Sequence, residues 1–374
     1  SFYLMNGQPN PITRKRVYEL IYKTQRISKQ DIAYQLTLSL PTVSQQLQSL
    51  EASGLIERNG SFASTGGRKA QIISCIYDAR ISIGIEIRLH TLSMAAIDLR
   101  GTLLHTIQYA VPFSNTPDYF ELLGEKLTHF LTSLAYPSSS ILGIGIVLQG
   151  LISADGKTIT YGKILNCTGL TVSAISKYLP FPCTMIHDAE AAATLELWQQ
   201  PEKKNAIFFH IRENLSGALI VNGKFLKGCE LKSGVFEHMT IIPDGKPCYC
   251  GKRGCMETCC SVSALLEGDE TLEDFFLHLR KKEHSYEERW LSYLSALTIA
   301  IDNLHMVIDY DVILGGSIAP YITDNDIALL LSKIQKASAF PTDRHFISTA
   351  SCAGIPIACG AALPYIRKFL ESLD

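Results

Sequence analysis

Eleven cysteines stand in this chain of 374 residues, and six of them fall between Cys229 and Cys260. Thiols grouped this way suit a metal ion better than a disulfide framework, whose cysteines would be spread along the chain. A second chemical signature lies near the start. Thr42, Ser44, Gln45 and Gln48 share one face of a short segment whose other face is apolar. Such hydroxyls and amides reach base edges in a major groove, and Gln pairs bidentately with adenine. Shortly after comes Ser64-Thr65-Gly66-Gly67-Arg68-Lys69. Two glycines there let backbone approach DNA closely, and Arg68 and Lys69 can bind phosphate or enter the minor groove.

The charge distribution agrees with this assignment. From Ser1 to Ser74 there are nine Lys and Arg against four Asp and Glu, an excess of five positive charges. With a net charge of −2 for the whole, the remainder carries −7. A basic head on an acidic body suits a polyanionic partner, although a chance imbalance on a solvated surface is the plain alternative. Hydrophobic residues make up 47% and charged residues 19%, a globular composition of two or three domains. No apolar run reaches membrane-spanning length and no secretory signal is read, so a soluble cytoplasmic protein is expected.

Three helices must position the polar face. The first carries Val17, Leu20 and Ile21. The second opens on Ser28 as N-cap, with Asp31 three residues on as a variant capping box, and buries Ile32 and Leu36. After a turn at Thr37-Leu38, Ser39 caps a third helix with the stripe Leu40, Val43, Leu47 and Leu50, ended by Gly54. Leu55–Arg58 and Ala70–Ile73 read as a hairpin, so the head is expected to be a winged helix-turn-helix. A small helical domain used for protein contacts is the alternative. From Ile81 the pattern changes. Ile81–Ile87, Thr91–Ile97 and Ile141–Leu148 read as strands, Glu121–Leu134 as a helix, and Val312-Ile313-Leu314 leads into Gly315-Gly316-Ser317. That alternation suits an α/β two-lobed body. The expected division is residues 1–76 for the head and 77–374 for the body.

The sequence resembles the ROK family (repressors, open reading frames and sugar kinases), in particular its xylose-repressor and N-acetylglucosamine-repressor branch. The resemblance runs through Leu40-Pro41-Thr42-Val43-Ser44, Gly54-Leu55-Ile56-Glu57 and Thr65-Gly66-Gly67-Arg68 in the head. In the body it runs through His187-Asp188-Ala189-Glu190-Ala191-Ala192-Ala193, His238-Met239 and Cys248-Tyr249-Cys250-Gly251-Lys252-Arg253-Gly254-Cys255-Met256-Glu257-Thr258. It implies a sugar-kinase-like body of the actin and hexokinase type, ribonuclease H-like in each lobe. Together with the last run, His238 completes a set of one imidazole and three thiolates, His238, Cys248, Cys250 and Cys255, a closed tetrahedral set for a structural Zn2+. Free thiols, or a disulfide formed on oxidation, are the alternatives.

Kinases of this family cradle phosphate with two Gly-rich turns. The matching stretches here are Glu86-Ile87-Arg88-Leu89-His90 and Arg212-Glu213-Asn214-Leu215-Ser216-Gly217-Ala218. Arg88 and His90 replace the small residues of the first, and Glu213 sets negative charge in the second, so ATP chemistry is not expected. The resemblance places Asn166, Asp188, His238 and Glu257 at a sugar. Asp188 matches the base that a kinase would use. Val235 departs from the pattern, standing where the family carries a Glu, and Glu237 replaces a Gly. The expectation is therefore a repressor-type regulator that binds a double-stranded operator as a homodimer or dimer of dimers, with a sugar or sugar derivative as effector and no membrane partner. An ATP-dependent sugar kinase with an accessory head is the alternative. A third reading is a sensor body that docks a protein and binds no sugar.

Overall fold

Side-chain caps start the three helices of the head. In the computed structural model, which describes residues 10–352 and 354–373, Asn10 Oδ1 accepts from the Ile12 and Thr13 N–H groups and starts α1 (Pro11–Thr24). Ser28 and Ser39 do the same for α2 (Lys29–Leu36) and α3 (Leu40–Ala52), each accepting from an N–H three residues on. The cap at Ser28 runs one way. The reciprocal capping boxes lie elsewhere, at Thr271/Asp274 and Thr323/Asp326. The stripe of α3 also differs from the expectation. Val43, Leu47 and Leu50 are buried, but Leu40 is 45% exposed in the first turn and Gln46 is buried instead. The antiparallel hairpin β1 (Ile56–Ser61) and β2 (Gln71–Cys75) follows. An isolated bridge between Ile27 and Ile73 ties β2 to the start of α2.

The first lobe holds β3 (Ile81–Ile87), β4 (Leu92–Ile97), β5 (Leu103–Tyr109), α4 (Pro117–Leu134), β6 (Ile141–Leu148), the short pair β7 (Leu151–Ile152) and β8 (Ile159–Tyr161), α5 (Val172–Ser176) and β9 (Cys183–His187). Its sheet has the order β5-β4-β3-β6-β9, with β3, β6 and β9 parallel. β3 is buried along its whole length and β6 along all but one residue, as strands covered on both faces must be. Helix α6 (Asp188–Gln199) leads to the second lobe: β10 (Ala206–Ile211), β11 (Leu215–Val221), β12 (Lys224–Phe225), α7 (Glu257–Cys260), α8 (Val262–Leu265), α9 (Leu272–Arg280), α10 (His284–His305), β13 (Asp311–Gly315), α11 (Asp324–Ala337) and β14 (Ile347–Thr349). Its sheet repeats the plan of the first, β12-β11-β10-β13-β14, with β10, β13 and β14 parallel.

The last helix, α12 (Ala358–Ser372), returns to the first lobe and lies across its sheet. Contact is so close at Gly84 that a Cβ there would sit 1.8 Å from the Ala358 carbonyl oxygen. The same helix joins the head. One continuous apolar core runs from Val17, Tyr18, Ile21, Leu47 and Leu50 through Ile97 and Leu195 to Leu363, Ile366 and Phe369. Polar contacts reinforce it. The Tyr22 hydroxyl donates to the Leu99 carbonyl (2.7 Å), and Arg14 donates to the Leu373 carbonyl (3.0 Å) and to Ser49 Oγ on α3 (3.0 Å). Among the described residues, no helix is long and apolar enough to cross a membrane.

Candidate functional site

The polar face of α3 sits where a groove could meet it. Gln45 and Gln48 are exposed, Thr42 and Ser44 half-exposed, and Thr42 Oγ1 lies 2.8 Å from the cap hydroxyl of Ser39. Arg68 and Lys69 are exposed in the loop between β1 and β2. Ser64 shapes that loop, its hydroxyl accepting from the Gly66 and Gly67 N–H groups and donating to the Gly67 carbonyl. Helix face and loop together present amides, hydroxyls and cations.

His238, Cys248, Cys250 and Cys255 come together as one cluster in the second lobe, with one ligand atom from each lying within 4.8 Å of the others. His238 Nδ1 is 3.6 Å from Cys248 Sγ, and Cys250 Sγ is 3.6 Å from Cys255 Sγ. A tetrahedron of bonds about 2.3 Å long has edges of about 3.8 Å, so the donor set and its spacing fit one Zn2+. Tyr249 and Lys252 steady the imidazole from outside. The Tyr249 hydroxyl is 3.2 Å from His238 Nε2, and Lys252 Nζ donates to the His238 carbonyl at 2.7 Å. The loop closes through Gly254 (φ 75°), where a Cβ would collide with the Ile242 carbonyl oxygen at 1.6 Å. Cys259 and Cys260 stand outside the cluster.

Beside this cluster a cavity opens between the lobes. The first lobe contributes Gln149, Tyr161 and Lys163, the start of α6 gives His187 and Asp188, and the second lobe gives Ser216, Val235, Glu237, His238 and Tyr249. Space for water is only about 30 Å³, room for roughly two or three molecules at about 10–15 Å³ each. Asp188 is buried at the bottom. Burial pushes its carboxyl up, but His187, His210, Arg212 and Ser216 hold it below the usual carboxylate range. His187 Nδ1 lies 3.3 Å from Asp188 Oδ1, and its Nε2 has no partner. Burial drives His210 down to about 3, so its ring stays neutral.

The four expected sugar contacts are placed differently from one another. Asp188 and His238 line the cavity. Glu257 stands behind it, accepting from Asn214 Nδ2 (2.8 Å) and the Leu215 N–H (2.6 Å), with burial raising it to about 7. Its contacts brace the turn between β10 and β11. Asn166 is exposed at φ 51° and is not among the lining residues, so in this arrangement of the lobes it does not meet the other three.

Glu237 is the residue that sequence reasoning undervalued. It is 4% exposed, lines the cavity and has an unpartnered Oε2. Val235 lines the cavity beside it. The carboxyl missing at position 235 is thus present two residues later, carried inward by the short 3-10 turn Phe236–His238. The signal was available, because Glu237 was itself the second departure from the pattern.

Comparison with known proteins agrees with this architecture. The ROK family model matches residues 82–338, and a winged helix-turn-helix DNA-binding model matches residues 11–57. The chain is 29% identical over 266 residues to the xylose repressor of Bacillus subtilis (strain 168), covering 70% of this chain and 69% of that protein. It is 27% identical over 255 residues to the DNA-binding transcriptional dual regulator NagC of Escherichia coli (strain K12), covering 67% of this chain and 62% of that protein. Two solved structures share the fold at 19% identity. One is a ROK family transcriptional regulator described as a homologue of the E. coli MLC protein, with a TM-score of 0.76 over 97% of this chain and 98% of that one. The other is a ROK family glucokinase from Streptomyces griseus in complex with glucose and AMPPNP, with a TM-score of 0.63 over 76% of this chain and 98% of that one. By this match, which spans both lobes, the chain belongs to the ROK family and carries a winged helix-turn-helix ahead of its ROK domain.

Proposed function

We propose that this protein is a DNA-binding transcription regulator of repressor type that controls genes of carbohydrate uptake or catabolism. In this reading α3 enters the major groove, with Thr42, Ser44, Gln45 and Gln48 at base edges and Arg68 and Lys69 on the backbone or minor groove. Two heads read a two-fold operator, as a dimer or dimer of dimers. The division of labour is the expected one, residues 1–76 for the head and 77–374 for the body; residues 1–9, 353 and 374 lie outside the described residues. The observation that carries the reading is the exposed Gln45/Gln48 face of α3 beside the exposed Arg68/Lys69 loop. Selection of genomic duplex fragments by the full chain tests it. A shared palindromic element should be enriched, and Gln48→Ala should relax its sequence by about 1–3 kcal/mol of discrimination. Arg68→Ala should instead lower the salt slope by about one. Failure to retain any duplex in a salt-dependent way would refute the assignment.

The body serves as sensor in this reading. Asp188, Glu237 and His238 would meet the hydroxyls of a sugar or sugar derivative, Glu257 would hold the pocket wall, and Asn166 would join only if its loop moves inward. A buried carboxyl whose oxygen lacks a partner, such as Glu237, favours a ligand that hydrogen-bonds to it, and because burial raises its proton affinity it can donate as well as accept. The cluster His238, Cys248, Cys250 and Cys255 would hold a structural Zn2+ that fixes the loop supplying His238. Elemental analysis should find about one zinc per chain. We assign no phosphoryl transfer to the body, because Arg88 and Glu213 pair with each other at 2.6 Å across the place a phosphate would need. Asp188 keeps the kinase alternative testable: ADP release with common hexoses that disappears in Asp188→Asn would establish it. A thermal-shift panel of sugars separates sensing from protein docking, since a bound ligand raises stability by mass action.

A further inference from the structure

Two ion pairs bridge the lobes at the stretches 86–90 and 212–218. Arg212 Nη1 donates to Glu86 Oε2 at 2.7 Å, and Arg88 Nη2 donates to Glu213 Oε2 at 2.6 Å. Glu86 belongs to β3 and Arg88 follows it, both in the first lobe. Arg212 and Glu213 form the turn from β10 to β11 in the second. Each lobe therefore offers one acid and one base, and the pairs cross. The inner pair is shielded, with side chains 12% and 11% exposed, while the outer pair is open to solvent.

Both arms are held stiffly before they meet. Arg88 N–H donates to the Thr91 carbonyl, and the Leu89 carbonyl accepts from the Phe113 N–H. On the other side the Arg212 carbonyl accepts from the Val262 N–H, and Glu257 clamps Asn214 and Leu215. The pairs are thus prepositioned, which lowers the entropy lost when the charges join. They also neutralise the two guanidinium groups that an entering anion would need.

We propose that Glu86–Arg212 and Arg88–Glu213 form a clasp that ties the two lobes together across the cleft and must open for the lobes to part there. Geometry supports this. The inner pair, Glu86 and Arg212, lies in the wall of the cleft between the lobes. Beyond the inner pair the cleft widens to about 490 Å³ between Phe208, Ser317 and Ile357. This inference concerns how the lobes are held together and stands whether or not the effector is a sugar.

Hydrogen–deuterium exchange on the full chain tests it with Arg88→Glu, Glu213→Arg and the double variant that swaps the charges. The outer pair is exposed enough for all three to fold. Each single reversal should speed exchange in peptides covering 86–92 and 211–216 by roughly threefold to fivefold, the range expected for an exposed pair backed by a shielded one. The swapped pair should return both peptides to within about twofold of the unaltered protein. Single variants as protected as the unaltered protein, or a swap that fails to restore protection, would overturn the clasp.

Discussion

The head meets the first lobe through apolar side chains, whereas the two lobes, joined along α6 by an apolar core, face each other across the cleft with charge. At the first seam Val17, Tyr18 and Ile21 share one core with Leu363, Ile366 and Phe369, with few polar contacts around it. At the second, two Arg–Glu pairs, the buried Asp188 and the neutral His210 lie together. Apolar seams depend on close packing and resist salt, while charged seams give way to solvent, salt and competing ligands. This arrangement seats the head firmly on one lobe and leaves the cleft edge of the lobe–lobe contact to charge. A short physical route joins the cleft to the head. Helix α6 begins at Asp188, and its far end carries Leu195 in the shared core and Trp198, whose Nε1 donates to the Arg100 carbonyl.

Four changes should separate these seams, from the largest effect downward. Cys255→Ser should remove one ligand of the proposed zinc site in the wall of the charged cleft. Small zinc modules derive about 10–16 kcal/mol from their ion, so segment 238–260 should lose exchange protection and zinc content should fall below one per chain. Ile366→Ala, at a fully buried position, should lower stability by about 2–5 kcal/mol in denaturant titration. That loss should be the same at low and high salt.

Acid should weaken the cleft next. His210 has a folded pKa of about 3 against 6.5 when unfolded. Between these values the unfolded state binds a proton that the folded state refuses, so stability is complete above about pH 6.5 and declines as pH falls toward 3. The slope from this one group is up to about 1.4 kcal/mol per pH unit. His187, Asp188 and Arg212 face the same ring, so the decisive reading is the difference: His210→Asn should show a shallower decline than the unaltered protein. Smallest of all, Arg88→Ala should cost less than about 1 kcal/mol, and that cost should vanish near ~0.5 M salt.

Much of this was readable in the sequence because the signals are local. Caps at Ser28 and Ser39, the period of Val43, Leu47 and Leu50, and the spacing of Cys248, Cys250 and Cys255 each report on residues a few positions apart. The strands β3 and β6 announced themselves by unbroken apolar runs. What stayed hidden depends on residues far apart in the chain. Pairing of Glu86 with Arg212 spans 126 positions, and no periodicity marks it. Leu40 fits the period of the stripe, yet it opens the first turn of α3 and is 45% exposed. β5 escaped notice as an edge strand with a half-exposed face, and Asn166 depends on where a loop of one lobe lies relative to the other.

Hydrogen–deuterium exchange of the unaltered full chain at low salt and at ~0.5 M salt compares both seams in one sample. The account predicts faster exchange at 86–92 and 211–216 in high salt, with peptides covering 17–22 and 363–369 unchanged. Loosening of the head peptides with the cleft peptides still protected would contradict it.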